Sequence, residues 1–282
     1  MLSVYVIVLS LSAGMTLCTC FSVFKWKNVT RDAGHGTMFM VFFCWFVWSI
    51  AMLGLTCTAF INDRSTSWEA PLARHLGFIT ETFFNSISLW FTAAAYELQR
   101  RALHPRSSTS HRASLTCYML LIGGSSFVLL ATLVVIDYTC GSIDPTDALQ
   151  WSSVILSAIS WGTWGIRAMS VLYPAALALW LARRRCDSRQ GLPKALSHTV
   201  LLFFALNTPY LILGPLVALD VIPSATVATG LGLVKALSFG SGIAISVVLG
   251  LSIRGFDAFY HSTSRSQSSE EHLPPSNQRR IG

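Results

Sequence analysis

Residues 38–61 read MFMVFFCWFVWSIAMLGLTCTAFI, an uninterrupted stretch without a charged side chain. A helix needs about 20 such residues to cross roughly 30 Å of hydrocarbon. This stretch therefore predicts a membrane-spanning helix. Moving outward from it, we find seven candidate spans, at 2–24, 38–61, 77–99, 114–138, 160–182, 196–220 and 229–252.

The composition points to the same class of protein. Charged residues make up 12% of the 282 residues and hydrophobic residues 52%, whereas soluble domains carry about 25% charged residues. We predict an all-α membrane protein with a seven-helix transmembrane domain at 1–253. Residues 254–282 are predicted to form a cytoplasmic tail, with a short interfacial helix followed by a disordered segment. The net charge of +7 is spread over four loops, which argues against nucleic-acid binding.

The basic residues predict an orientation. Of the twenty Lys and Arg, only Arg64 and Arg74 fall in the loops on one side of the spans. The other side holds sixteen: Lys25, Lys27, Arg31, Arg100, Arg101, Arg106, Arg112, Arg183, Arg184, Arg185, Arg189, Lys194, Arg254, Arg265, Arg279 and Arg280. By the positive-inside rule the N-terminus is outside and the C-terminus cytoplasmic. The first span is either a cleaved signal peptide or a retained signal anchor. We expect the anchor, because no basic residue precedes the span and its apolar run continues to Phe24.

Seven spans in this orientation are typical of a cell-surface receptor in the plasma membrane. The long outer segment from Thr139 to about Ile159 has two interpretations, an amphipathic lid or the beginning of a longer fifth helix. Cys57 and Cys140 are the cysteines near the outer side, where a disulfide between them would tether this segment. The alternative is a pair of free thiols.

Ionisable residues inside the spans mark a candidate ligand site, since such residues are costly in a membrane. Glu81, Arg167 and Lys235 lie on three different spans at a similar predicted depth near the outer mouth. Asn85 follows Glu81 by one helical turn, and Trp164 would contribute an aromatic wall. One acid against two bases leaves a surplus positive charge, which suits a small anionic or strongly polar ligand. The alternative is a satisfied polar cluster that pins the helices together.

The opposite, inner side carries a second candidate site. Glu97 is followed by Arg100 and Arg101 at the inner end of the third span. An acid beside arginines at this position is the arrangement by which many receptors latch an inactive state; the alternative is an ordinary basic membrane boundary. Further basic residues would line this surface: Arg183, Arg184 and Arg185. Pro209 removes an intrahelical donor from the sixth span and is a candidate hinge.

Residues 77–98 read GFITETFFNSISLWFTAAAYEL. This stretch resembles the third helix of cyclic-AMP-receptor-like and fungal glucose-receptor-like seven-helix receptors. They share a Gly-Phe entry, a Phe-Phe pair, a Ser followed by Leu-Trp, and small residues before an aromatic. Tyr173-Pro174 and Gly240-Ser241-Gly242 are loosely similar to the same receptors. The resemblance implies a G-protein-coupled receptor whose partner is a heterotrimeric G protein. The sequence does not decide between a monomer and a homo-oligomer.

Two other functions compete with this interpretation. Residues 235–240, KALSFG, loosely resemble the lysine region of microbial rhodopsins, in which Lys235 would bind retinal as a Schiff base with Glu81 as a substitute carboxylate. A small-molecule transporter or channel is the second alternative, although broken inverted repeats are not evident. The spans lack the paired acidic, Ser/His or His/Glu groups of an intramembrane hydrolase, so we expect no enzyme activity. We also expect no metal site and no cofactor.

Overall fold

The computed structural model describes residues 2–24, 33–61, 71–103, 111–140, 145–183, 192–219, 221–222 and 229–248. These residues form seven helices. In chain order they are α1 Leu2–Phe24, α2 Ala33–Ile61, α3 Pro71–Leu103, α4 His111–Cys140, α5 Pro145–Arg183, α6 Leu192–Ala218 and α7 Thr229–Val248. The described part of the chain is therefore all-helical, as predicted. The predicted tail, 254–282, lies outside the described residues.

Five of the seven helices are long and apolar enough to cross a membrane, which makes this chain a membrane protein. They are Leu2–Phe24, Ala33–Ala59, Arg112–Thr139, His198–Val217 and Thr229–Val248. The two remaining helices, α3 and α5, carry the acidic and basic residues of the candidate site, Glu81, Glu97 and Arg167.

The fifth helix is longer than its predicted span. It begins at Pro145 and continues without a break to Arg183, through Pro174. Its 39 residues would extend over roughly 58 Å at about 1.5 Å per residue, well beyond the thickness of the hydrocarbon core. The segment before residue 160 is thus the first part of α5, and the alternative of a longer fifth helix is confirmed over that of a separate lid.

The helices alternate in direction, so that the odd-numbered helices begin at one end of the bundle. The starts of α1 and α7 meet where the Tyr5 hydroxyl donates to the carbonyl of Gly232 at 3.0 Å. The start of α3 meets the end of α4, where Arg74 forms a 2.8 Å ion pair with Asp137. We call this the first end of the bundle, and the opposite one the second end.

α3 lies at the centre of the bundle and contacts α2, α4, α5 and α6. Its buried alanines Ala93, Ala94 and Ala95 allow neighbouring backbones to approach closely, as small residues do between membrane helices. α5 runs parallel to α3, because Glu81 bonds with Thr163 and Gln99 with Tyr173 further along both helices.

An aromatic cluster fills the middle of the bundle. The rings of Phe91 in α3 and Phe203 in α6 stack with centroids 4.3 Å apart. Trp45 in α2 meets both rings edge-on, at 5.9 Å and 5.7 Å. Such pairs contribute about 0.5–1.5 kcal/mol each beyond their buried area. They therefore fix the positions of α2 and α6 relative to α3.

α7 packs against α1 and α2 through a glycine. A Cβ at Gly242 would lie 2.5 Å from the Ser12 hydroxyl and 2.7 Å from the Trp45 indole nitrogen, so a side chain does not fit there. On its other flank α7 is joined to α6, because Ser238 donates a 2.6 Å hydrogen bond to Asn207 in the buried core. These contacts set how α7 presents Lys235 to the interior.

Candidate functional site

Between the middle of the bundle and its first end lies a cavity of about 240 Å³. Five helices contribute to its wall: α2, α3, α5, α6 and α7. The lining residues are Trp48, Met52, Leu55, Thr80, Glu81, Phe84, Arg167, Tyr210, Lys235, Ser238 and Phe239. The three ionisable residues that the sequence singled out, Glu81, Arg167 and Lys235, thus share one cavity.

Glu81 and Arg167 form an ion pair across α3 and α5. An Arg167 Nη2 donates to Glu81 Oε1 at 2.5 Å, and the Thr163 hydroxyl donates to the same oxygen at 2.9 Å. The Arg167 guanidinium also stands over the Phe84 ring, 4.7 Å from its centroid. The Arg167 side chain is 16% exposed, and its Nε is buried without a hydrogen-bond partner among the described residues. One donor of this cation is therefore unused.

Lys235 enters the same cavity from α7. Its ammonium lies 5.7 Å from the centroid of the Phe239 ring, at the outer limit of a cation–π contact. Within the described part of the chain, no carboxylate pairs with Lys235. Since Glu81 is engaged with Arg167, the cavity carries a net positive charge.

Trp164 has a different role from the predicted aromatic wall. It is not among the residues that line the cavity, and its indole N–H donates to the carbonyl of Leu211 in α6 at 3.0 Å. Proline at 215 has no N–H with which to bond that carbonyl, four residues before it. Trp164 thus supplies the hydrogen bond that Pro215 leaves unmade, and joins α5 to α6 close to the cavity.

Asn85 lies outside the charged cavity as well. Its side chain is buried and lines a separate groove between α3, α4 and α5. Residues four apart on a helix differ by about 40° in direction, and this rotation carries Asn85 from the Glu81 side of α3 towards α4. The predicted grouping of Asn85 with the charged residues is therefore not found in the cavity lining.

Most of the cavity lining was missed by sequence reasoning, including Tyr210, Trp48 and Ser238. Tyr210 lies directly after Pro209 and faces the ion pair, Trp48 provides an aromatic wall from α2, and Ser238 lines the α7 side. None carries a signal in the sequence, because an aromatic or hydroxyl residue in an apolar helix is common. Only the packing of α2, α6 and α7 around α3 selects them.

A second cluster of polar residues lies at the second end of the bundle. Glu97 is 1% exposed and accepts hydrogen bonds from Arg100 at 2.8 Å and from the Tyr118 hydroxyl at 3.4 Å. Arg100 also donates to Ser114 at 2.7 Å. These bonds join the end of α3 to the start of α4. The acid and arginine that the sequence predicted as a latch are therefore paired with each other.

The remaining predicted residues are only partly described. Arg184 and Arg185 lie outside the described residues, and Arg101 and Arg183 are described only as backbone positions in α3 and α5.

Cys57 is a free cysteine, so the structure does not contain the predicted disulfide, and the side chain of Cys140 is not among those described. Pro209 lies within a continuous α6. Within the described ranges, no group of three or more His, Cys, Asp or Glu residues is arranged to hold a metal ion.

Comparison with known proteins found no family model and no curated protein that matches the chain.

Proposed function

We propose that this protein is a plasma-membrane receptor of the G-protein-coupled type, with seven spans, the first end outside and the second end in the cytoplasm. The observation that carries the proposal is the cavity shared by Glu81, Arg167 and Lys235. Charged side chains within a membrane-spanning bundle are costly and mark functional sites. Here they converge from three helices on one space near the outer face.

The charge of the cavity indicates the ligand. The Glu81–Arg167 pair leaves the Lys235 ammonium and the Arg167 Nε without an anionic partner in the described chain. A carboxylate or phosphate oxygen would satisfy both donors, and hydrogen bonds to charged groups are stronger than neutral ones. The volume of about 240 Å³ lies below the range of roughly 300–1,000 Å³ typical of pockets for drug-sized molecules. The proposed ligand is therefore a small anion.

A signal from this cavity would travel along α5 and α6. Trp164 ties the two helices together at Leu211, and Pro209 places a hinge in α6 beside Tyr210, which lines the cavity. A ligand that binds Arg167 or Tyr210 would shift α6 about this hinge. At the second end the Glu97–Arg100 pair would release, and the basic inner surface would admit a heterotrimeric G protein.

The proposal is tested by a ligand screen on the full chain. Cells that express the protein with a G-protein activation sensor are exposed to a panel of small carboxylates, amino acids and phosphates. We expect at least one to activate the wild type, with a response weakened at least about tenfold by Lys235→Met, because one charge-assisted bond is lost. Leu233→Met is the matched control, since Leu233 lies two residues before Lys235 on α7, is 58% exposed and does not line the cavity. An unchanged response in Lys235→Met at equal surface expression contradicts the assignment of the cavity.

The retinal alternative draws on the same residues, because Lys235 and Glu81 line one cavity. Against it, Glu81 is engaged by Arg167 and Thr163, and the space is small for a retinoid. A visible absorbance spectrum distinguishes the receptor from the retinal protein. We expect no visible absorbance band after incubation of the purified protein with retinal. A band that Lys235→Met abolishes would replace the receptor proposal with a photoreceptor.

A further inference from the structure

A groove separate from the charged cavity runs along the outer surface of the bundle between α3, α4 and α5. Its volume is about 530 Å³. It opens to the surroundings of the bundle, because two of its rim residues on α4, Leu121 and Val128, are 65% and 63% exposed. In a membrane this surface faces lipid. The groove is therefore entered from the bilayer and not from water.

The floor of the groove carries an unsatisfied polar group. Asn85 lines it and is 4% exposed, and its Oδ1 is buried without a hydrogen-bond partner in the described chain. A buried amide oxygen without a donor is costly, and lipid chains offer no donor to replace water. This oxygen points to a ligand that brings a hydroxyl into an apolar site.

The rest of the wall defines the body of that ligand. The lining is largely branched and apolar, with Leu89, Leu129, Ile159 and Ile166, and no charged residue is among its described members. Gly162 forms part of the wall, and a Cβ there would meet nothing within 4 Å, so the groove is open along α5. Such a site suits a bulky, uncharged molecule with one hydroxyl group.

We propose that this groove binds a membrane sterol, with the sterol hydroxyl donating to Asn85 and the rings lying between α4 and α5. A phospholipid chain fills apolar space but has no donor for Asn85, whereas a sterol supplies both. The site goes beyond the proposed receptor function and does not depend on it. It adjoins the charged cavity, because Thr163 lines the groove and donates to Glu81.

The experiment is saturable binding of tritiated cholesterol to the purified full-length protein in detergent micelles. Competition by unlabelled cholesterol is compared with competition by 5-cholestene, the same skeleton without the hydroxyl. We expect one site per chain in the wild type and at least about fivefold weaker competition by 5-cholestene, as one hydrogen bond is lost. In Asn85→Leu we expect about tenfold weaker binding and equal competition by the two compounds.

A second variant leaves Asn85 unchanged, so the test does not depend on whether Asn85→Leu folds correctly. Gly162→Leu fills the groove and is expected to weaken cholesterol binding more than tenfold, whereas Gly14→Leu, on an open face of α1, leaves it unchanged. Absence of saturable binding to the wild type overturns the proposal, as does equal competition by 5-cholestene in the wild type. Saturable binding of a labelled phospholipid that cholesterol does not displace would assign the groove to an acyl chain.

Discussion

At the scale of the residue, the carboxylate of Glu81 is the group on which the cavity depends. It accepts bonds from Arg167 and Thr163. Without it, two partly buried cations would share one space with no anion among the described lining residues. Charges of one sign that close together repel strongly in a medium of low dielectric constant. Glu81 therefore sets both the stability of the cavity and its net charge.

The Glu81–Arg167 pair is expected to show energetic coupling in a double-mutant cycle. Glu81→Gln should destabilise the protein by about 1–3 kcal/mol, because it leaves the largely buried Arg167 without its partner; the estimate is held low because Glu81 is 35% exposed. Arg167→Met in the same chain should restore much of the loss, since both partners are then apolar or neutral. The measurement is the midpoint of thermal unfolding in detergent. Additive losses in the double variant would show that the pair is not coupled.

At the scale of the element, α6 is held by a bond that replaces one lost to proline. Pro215 cannot bond the carbonyl of Leu211, and the Trp164 indole does so from α5. A carbonyl left unpaired in a membrane costs free energy, so this contact is a tie between the helix proposed to move and a helix of the cavity.

The bond between Trp164 and Leu211 predicts that the effects of substitutions at Trp164 and Pro215 on stability are coupled. Trp164→Phe keeps most of the ring but removes the donor, and should lower stability by about 1 kcal/mol or more. With Pro215→Ala in place, the alanine N–H can bond Leu211, so the same change at Trp164 should cost less. Tyr138→Phe is the control, because it also removes one side-chain donor but at a residue that is 81% exposed. Equal costs of Trp164→Phe in both backgrounds, measured by thermal unfolding, would contradict the account.

The sequence predicts the helices well and their contacts less well. Long apolar stretches locate all seven helices, five of which are long and apolar enough to cross a membrane. The start of α5 lies fifteen residues before its predicted span, since the polar first part of that helix has no membrane signal. Convergence of Glu81, Arg167 and Lys235 was predicted because they lie on three spans at a similar depth. The rotation that turns Asn85 into the groove is set by packing against α4, which no single sequence reveals.

At the scale of the whole molecule, two polar sites lie at opposite ends of one helix. α3 carries Glu81 near the first end and Glu97 near the second, and both acids are paired with arginines. Under the receptor proposal these are the ligand site and the latch, joined by the packed aromatic core around Phe91 and Trp45. Coupling between such sites requires two arrangements of the bundle that each site biases differently.

The most direct test of this account needs no ligand. Full-length wild-type protein and Glu97→Gln, reconstituted in nanodiscs, are compared for the rate of GTP-analogue uptake by purified heterotrimers of each Gα class. Glu97→Gln keeps the shape of the side chain but loses the ion pair with Arg100. Because release of a latch worth about 1–3 kcal/mol shifts the population of the open state, we predict at least about fivefold faster exchange with one class. No exchange with any class, in a variant that is folded and monodisperse, would contradict the account.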